Sequence, residues 1–173
     1  MCRSSWVVAH EARPQDQRSC NASPEDLRRR VAAGQQRGGG GRDRDAELRL
    51  TELLSSDVQY QQTWQKVVEQ EDRLPEWVIN LSGTAPPMTA VENEGDRYLV
   101  GELCEAHDCF NQRLYVAFSW DKDAAYALYV QLPQGLAADQ APSRHASLRW
   151  LGKPDAKLQK ILQERLSADP NWN

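Results

Sequence analysis

The eight residues RLYVAFSW, Arg113 to Trp120, decide the fold. Leu114, Val116, Phe118 and Trp120 fall on alternate positions, so an extended chain carries them on one face. The same alternation repeats on either side. Downstream, the polar Asp121-Lys122-Asp123 marks a short turn, and Ala125 to Leu132 places Tyr126, Leu128, Val130 and Leu132 on one face. Upstream, Arg97 to Cys104 sets Tyr98, Val100 and Glu102 against Leu99 and Leu103. Before it, Glu94-Gly95-Asp96 reads as a turn and Met88 to Glu92 as a first strand. After a loop over Pro133 to Ser143, His145 to Leu151 is a fifth candidate.

Helical signals bracket these strands. Glu47 to Leu54 groups Leu48, Leu50, Leu53 and Leu54 near one face. Asp57 is placed to cap a second helix running to about Glu71, because an aspartate accepts from the orphan N–H groups of a first turn. Its Tyr60, Trp64, Val67 and Val68 follow amphipathic spacing. Leu74-Pro75-Glu76-Trp77-Val78 ends that helix and begins an extended or turn segment. Gly152-Lys153-Pro154-Asp155 stops the fifth strand and opens a helix to about Leu166, carried by Leu158, Ile161, Leu162 and Leu166. Strands in hairpin order with helices before and after predict an α+β fold, a single domain with a central antiparallel sheet of four or five strands flanked by helices. Trp64, Trp77, Trp120 and Trp150 are expected in the core, and Trp172 over an interface or capping the sheet. The acids Glu92, Glu94 and Asp96 read as a solvated hairpin tip.

Charge divides the chain. Residues 1–44 hold nine arginines, no lysine and five acids, whereas residues 45–173 carry a net charge of about −8. The first segment has Arg28-Arg29-Arg30, a four-glycine run from Gly38 to Gly41 and a short candidate helix, Pro24 to Ala33. Its few apolar residues cannot offset chain entropy, so a disordered basic tail is expected over 1–44. No aromatics interleave its arginines, which tells against nucleic-acid binding. No apolar run approaches the ~18 residues that span a membrane, and Trp6-Val7-Val8-Ala9 is too short for a signal peptide. Neither a P-loop nor a dinucleotide fingerprint is present, and no cofactor is expected.

Between two of the strands lies CEAHDC, Cys104 to Cys109. Cys104, His107, Cys109 and Asp108 have metal-ligand chemistry, but a structural zinc site ties separated ligand pairs together and no second pair follows. Redox thiols generally use C-x-x-C at a helix N-terminus, and this spacing is C-x4-C between strands. A third reading is a structural disulfide closing a small ring, worth about 2 kcal/mol in the chain-entropy model. Such a ring holding Glu105, Ala106, His107 and Asp108 is either a preorganised binding tip or an ordinary stapled loop with an exposed histidine. An enzymatic alternative, a small hydrolase, would use His107 as general base with Asp108 or Glu105 as partner. Such sites need groups converging from several segments into a pocket, and neither His145 nor the lone Ser119 has that context.

These residues resemble the Ivy family, inhibitors of vertebrate lysozyme from Gram-negative bacteria. The family hallmark is a disulfide-closed Cys-Lys-Pro-His-Asp-Cys loop, which stands here as Cys104-Glu105-Ala106-His107-Asp108-Cys109. The similarity extends to Thr63-Trp64-Gln65-Lys66-Val67-Val68, Leu74-Pro75-Glu76-Trp77-Val78, Gln112-Arg113-Leu114-Tyr115-Val116 and Leu148-Arg149-Trp150-Leu151. It covers residues 47–173 and none of the tail. The resemblance implies a Cys104–Cys109 staple and a loop that enters the cleft of a C-type lysozyme, where His107 meets two catalytic carboxyl groups. It further implies a periplasmic protein, often a homodimer, with control of lytic transglycosylases as an added role. A protonated imidazole donates from both nitrogens, and charge-assisted bonds of that kind are about twice as strong as neutral ones. Asp108 is expected to orient or charge the imidazole.

Two departures follow. Glu105-Ala106 replaces Lys-Pro, removing a fixed φ and placing a negative charge beside an acidic cleft. Weaker inhibition of vertebrate lysozyme, or a shifted target, is expected. The front end also differs: residues 1 to about 44 are expected to be a wrong start or frameshift product standing where a signal peptide belongs.

Overall fold

In the structure, a computed structural model that describes residues 47–173, RLYVAFSW supplies most of the middle strand of a five-stranded antiparallel sheet. The strands are β1 (Thr89–Asn93), β2 (Asp96–Cys104), β3 (Gln112–Ser119), β4 (Ala125–Gln131) and β5 (Ser147–Leu151), in spatial order β1-β2-β3-β4-β5. The basic tail expected over 1–44, with its candidate helix Pro24 to Ala33 and with Cys2 and Cys20, lies outside the described residues. Every strand pairs with its sequence neighbour, and Val116 sits between Gly101 and Ala127. Such a meander needs only short connections. The β1–β2 hairpin turns on Glu94 and Gly95, whose φ angles of 52° and 89° are the two positive values a type I′ turn requires.

The sheet is covered on both faces. On one side Leu99, Leu103, Leu114, Val116 and Phe118 pack against α1 (Leu50–Ser56), α2 (Val58–Val68) and the single turn α3 (Glu76–Ile79). Phe118 meets Tyr60 edge-on at 5.1 Å and Trp64 at 6.3 Å between centroids. On the other side Val100, Tyr115, Ala117, Leu128 and Val130 pack against Leu158, Ile161, Leu162 and Leu166 of α4 (Ala156–Ser167). The alternate residues of RLYVAFSW thus serve two cores. Caps form as the acids dictate: Asp57 accepts from Gln59 N at 2.8 Å, and Asp155 from Leu158 N at 2.9 Å. Asp57 also accepts from Lys122 Nζ at 2.6 Å, and Thr63 Oγ1 donates to the Lys122 carbonyl at 2.6 Å, so the β3–β4 turn is tied to α2.

Several expectations shift. The first helix begins at Leu50, not Glu47, because the preceding residues pair with a distant segment: the Leu48 carbonyl accepts from Met88 N at 2.9 Å and the extended Arg49 bridges Pro87. That pairing also leaves Met88 outside β1. The second helix ends at Val68 rather than Glu71, where three-residue turns take over. The segment after Pro75 is helical for one turn instead of extended, with Pro75 at the N-cap, a position that needs no N–H. His145 is exposed and follows a 3₁₀ turn, Pro142–Arg144, so β5 starts only at Ser147. Trp120 is no core residue. It lies half-exposed past the end of β3, with the Arg97 guanidinium 3.6 Å above its ring. Trp150 is half-buried at the edge of the second core, while Trp172 is buried within it.

Candidate functional site: the ring between β2 and β3

The ring begins where β2 ends. Cys104 pairs with Arg113 across the sheet and exchanges two backbone hydrogen bonds, both 3.0 Å, with Thr84. Thr84 belongs to the segment entering β1, so the base of the ring is held from both sides. Gly83 lets that segment come close: a Cβ there would lie 2.2 Å from the Cys104 carbonyl oxygen. Cys104 and Cys109 form a disulfide with their Cα atoms 4.7 Å apart. The C-x4-C spacing is therefore a staple, and neither sulfur is a free thiolate for metal or redox chemistry.

Within the ring, Asp108 N donates to the Glu105 carbonyl at 3.0 Å, defining a four-residue turn. His107, its third residue, has a φ of 70°, while the φ of Ala106 is not positive. Those signs are the type II pattern, which favours Pro at the second position and Gly or Asn at the third. A histidine there accepts a left-handed backbone that L-residues generally avoid, although His tolerates it better than most. Ala106 and His107 are both exposed, and among the described residues nothing hydrogen-bonds the imidazole. Geometry thus turns the histidine outward at the corner of a convex loop.

Asp108 does not orient that imidazole. Its Oδ1 accepts from Asn111 Nδ2 at 2.6 Å and its Oδ2 from Gln134 Nε2 at 2.8 Å. Asn111 Nδ2 also reaches Gln134 Oε1 at 3.2 Å, and the Asn111 carbonyl accepts from Leu132 N at 2.8 Å. The carboxylate is thus committed to the β4–β5 connection. Beyond the ring, Arg113 Nε donates to the Cys109 carbonyl at 2.9 Å, and its guanidinium pairs with Asp169 just past α4. Glu105, half-buried, donates its backbone N–H to the Gln112 carbonyl at 3.1 Å. Burial first, and then the nearby Glu105 charge, push the Tyr129 phenol above its ordinary value of 10.0. The phenol donates to Gln112 Oε1 at 2.6 Å.

The other residues weighed for an enzymatic reading lie apart from the ring. Ser119 stands at the far end of β3, about 20 Å away by strand rise, and its hydroxyl donates to Asp121 at 2.6 Å within the β3–β4 turn. His145 follows the 3₁₀ turn and is not part of the ring. A groove of about 510 Å³ does run beside the disulfide, lined by Thr84, Glu102, Arg113, Tyr115 and Arg165 among others, but neither histidine lines it. The sequence reading assigned no role at the ring to Asn111, Arg113, Gln134 and Asp169. Arg113 and Asp169 lie 56 positions apart, and Gln134 lies 26 from Asp108; no local pattern signals such partners.

Comparison with known proteins gives a consistent result. Residues 59–168 match the family profile described as inhibitor of vertebrate lysozyme (Ivy). The chain is 64% identical over 130 residues to an uncharacterized protein of Pseudomonas aeruginosa, covering 75% of this chain and 84% of that one. It is 42% identical over 129 residues to a protein of the same organism named inhibitor of vertebrate lysozyme, covering 74% and 84% respectively. An uncharacterized protein of Yersinia pestis is 38% identical over 123 residues, or 71% of this chain and 79% of the relative.

Proposed function

Because the chain belongs to the Ivy family, inhibitors of vertebrate lysozyme, we propose that its Cys104–Cys109 loop enters the active-site cleft of a C-type lysozyme and sets His107 against the two catalytic carboxyl groups. The observation that carries this reading is the exposed imidazole at the corner of a disulfide-closed type II turn. Glycoside hydrolysis needs one carboxyl group as acid and a second as nucleophile or base. An imidazolium between them donates to both and leaves neither for substrate. The net charge of about −8 on residues 45–173 draws in a basic enzyme and raises the association rate. The disulfide suits an oxidising compartment, which supports a periplasmic site of action. Homodimer formation belongs to the same reading.

Glu105 favours a second target. A negative charge at the ring's shoulder repels an acidic cleft, and a less acidic one accepts it better. The cell's own lytic transglycosylases, the added role that the family resemblance implies, are the second target to test. A cell-wall lysis assay with the full oxidised chain tests both. Inhibition of lysozyme or of a transglycosylase, weakened at least about tenfold by His107→Ala, is the expected result. Undiminished inhibition by His107→Ala would remove the loop from the mechanism.

A further inference from the structure

The ring does not stand alone. Three side chains bond one another around its base: Asp108 inside it, Asn111 just past it and Gln134 in the β4–β5 connection. Each contact joins a donor to an acceptor, so the set closes without an unsatisfied carboxylate. Asp108 directly follows His107, and its backbone N–H closes the turn that holds His107 at a φ of 70°. No proline fixes a φ in that turn, and no glycine relieves its positive-φ position. Gln134 comes from a segment that forms no strand or helix and is itself exposed.

We propose that Asp108, Asn111 and Gln134 form a clamp that fixes the His107 turn in its docking shape, with Gln134 as a positioning residue outside the ring. The inference rests on the inhibitory role of the loop. Its physical content is that the amide of Gln134 must donate to a carboxylate. Gln134→Glu puts two carboxylates face to face and opens the clamp. Adding Asp108→Asn restores a donor and an acceptor with their order reversed, and Asn111 Nδ2 still meets two oxygens.

The test uses the full oxidised chain, Gln134→Glu, and the Asp108→Asn/Gln134→Glu pair. Two readouts are taken: ¹⁵N–¹H heteronuclear NOE values for Ala106 and His107, and the inhibition constant against an egg-white C-type lysozyme. The single variant is expected to lower both NOE values and weaken inhibition about fivefold, and the pair to recover both. Unchanged NOE values in Gln134→Glu, or no recovery in the pair, would overturn the clamp. If the wild-type chain does not inhibit lysozyme, the lysozyme reading fails, while the NOE series still decides whether the clamp exists.

Discussion

Replacing His107 by glycine separates what the side chain costs from what it does. At a φ of 70°, an L-residue carries a backbone penalty of about 1–2 kcal/mol, and histidine lies toward the low end of that range. Glycine escapes the penalty but loses about 0.5–1 kcal/mol through a more flexible unfolded chain. The disulfide narrows the unfolded ring and so reduces that loss. The imidazole is exposed and unbonded among the described residues, so deleting it forfeits little packing. The net change is a gain of about 0–1 kcal/mol, which raises Tm by up to about 4 °C in a domain of this size. His107→Ala keeps the backbone penalty and gains nothing. Thermal unfolding of the oxidised proteins should therefore rank Gly at or above His, and His at or above Ala, while inhibition weakens at least about tenfold in both variants. A stability loss above about 1 kcal/mol in His107→Gly would mean that contacts hold the imidazole within the fold, refuting its assignment to a partner.

The same turn geometry gives Ala106→Pro the opposite aim. The second position of a type II turn presets proline's φ, so stability should rise by about 0.4–1 kcal/mol and inhibition should tighten up to about fivefold. Gly83→Ala should cost about 2–3 kcal/mol in chemical denaturation and weaken inhibition, since its Cβ would press on the Cys104 carbonyl and break the Thr84 bridge. Asp57 tests the tie between α2 and the β3–β4 turn. The hydrogen bond from Lys122, with that from Gln59 N, lowers its pKa below 3.8. The folded form therefore binds its proton less readily than the unfolded chain. Its stabilisation is complete above the unfolded value and is lost as pH falls through the lower folded one. The Tm difference between wild type and Asp57→Asn should accordingly be present at about pH 6 and shrink below about pH 4, with a ceiling of about 1 kcal/mol because the carboxylate is partly solvated.

The sheet was legible because its chemistry is local. Alternation in Arg97 to Leu132, turn residues between the runs and Asp caps each act within a few positions, and the hairpin order leaves a meander as the simplest sheet. Boundaries were less legible where a distant segment intervened: Leu48 and Arg49 stay out of the helix because Met88 and Pro87 pair with them. Trp120 reads as core by alternation, yet the strand stops one residue earlier and Arg97 covers the ring instead. For the site, the ring and its histidine were visible as a motif. The commitment of Asp108 to Asn111 and Gln134 was not, because adjacency in sequence places Asp108 beside His107 while the turn directs its carboxylate elsewhere.

The ring's departures from Lys-Pro bear on how this loop is kept rigid. A proline would preorganise the turn from within, by fixing a φ. Here Ala106 leaves that angle free, and His107 occupies a backbone region that favours glycine. Local propensity therefore works against the observed turn, and the order of the tip must come from tertiary contacts. The structure supplies them from separate segments: Thr84 grips Cys104, Gln134 and Asn111 grip Asp108, and Arg113 joins the Cys109 carbonyl to Asp169. Each contact gives only about 0.5–1.5 kcal/mol, or 1.5–3 kcal/mol where a charge takes part. Acting on a six-residue ring, they remove the freedom that docking would otherwise have to remove. Rigidity borrowed from the fold in this way makes the shape of the loop sensitive to residues far from it in sequence.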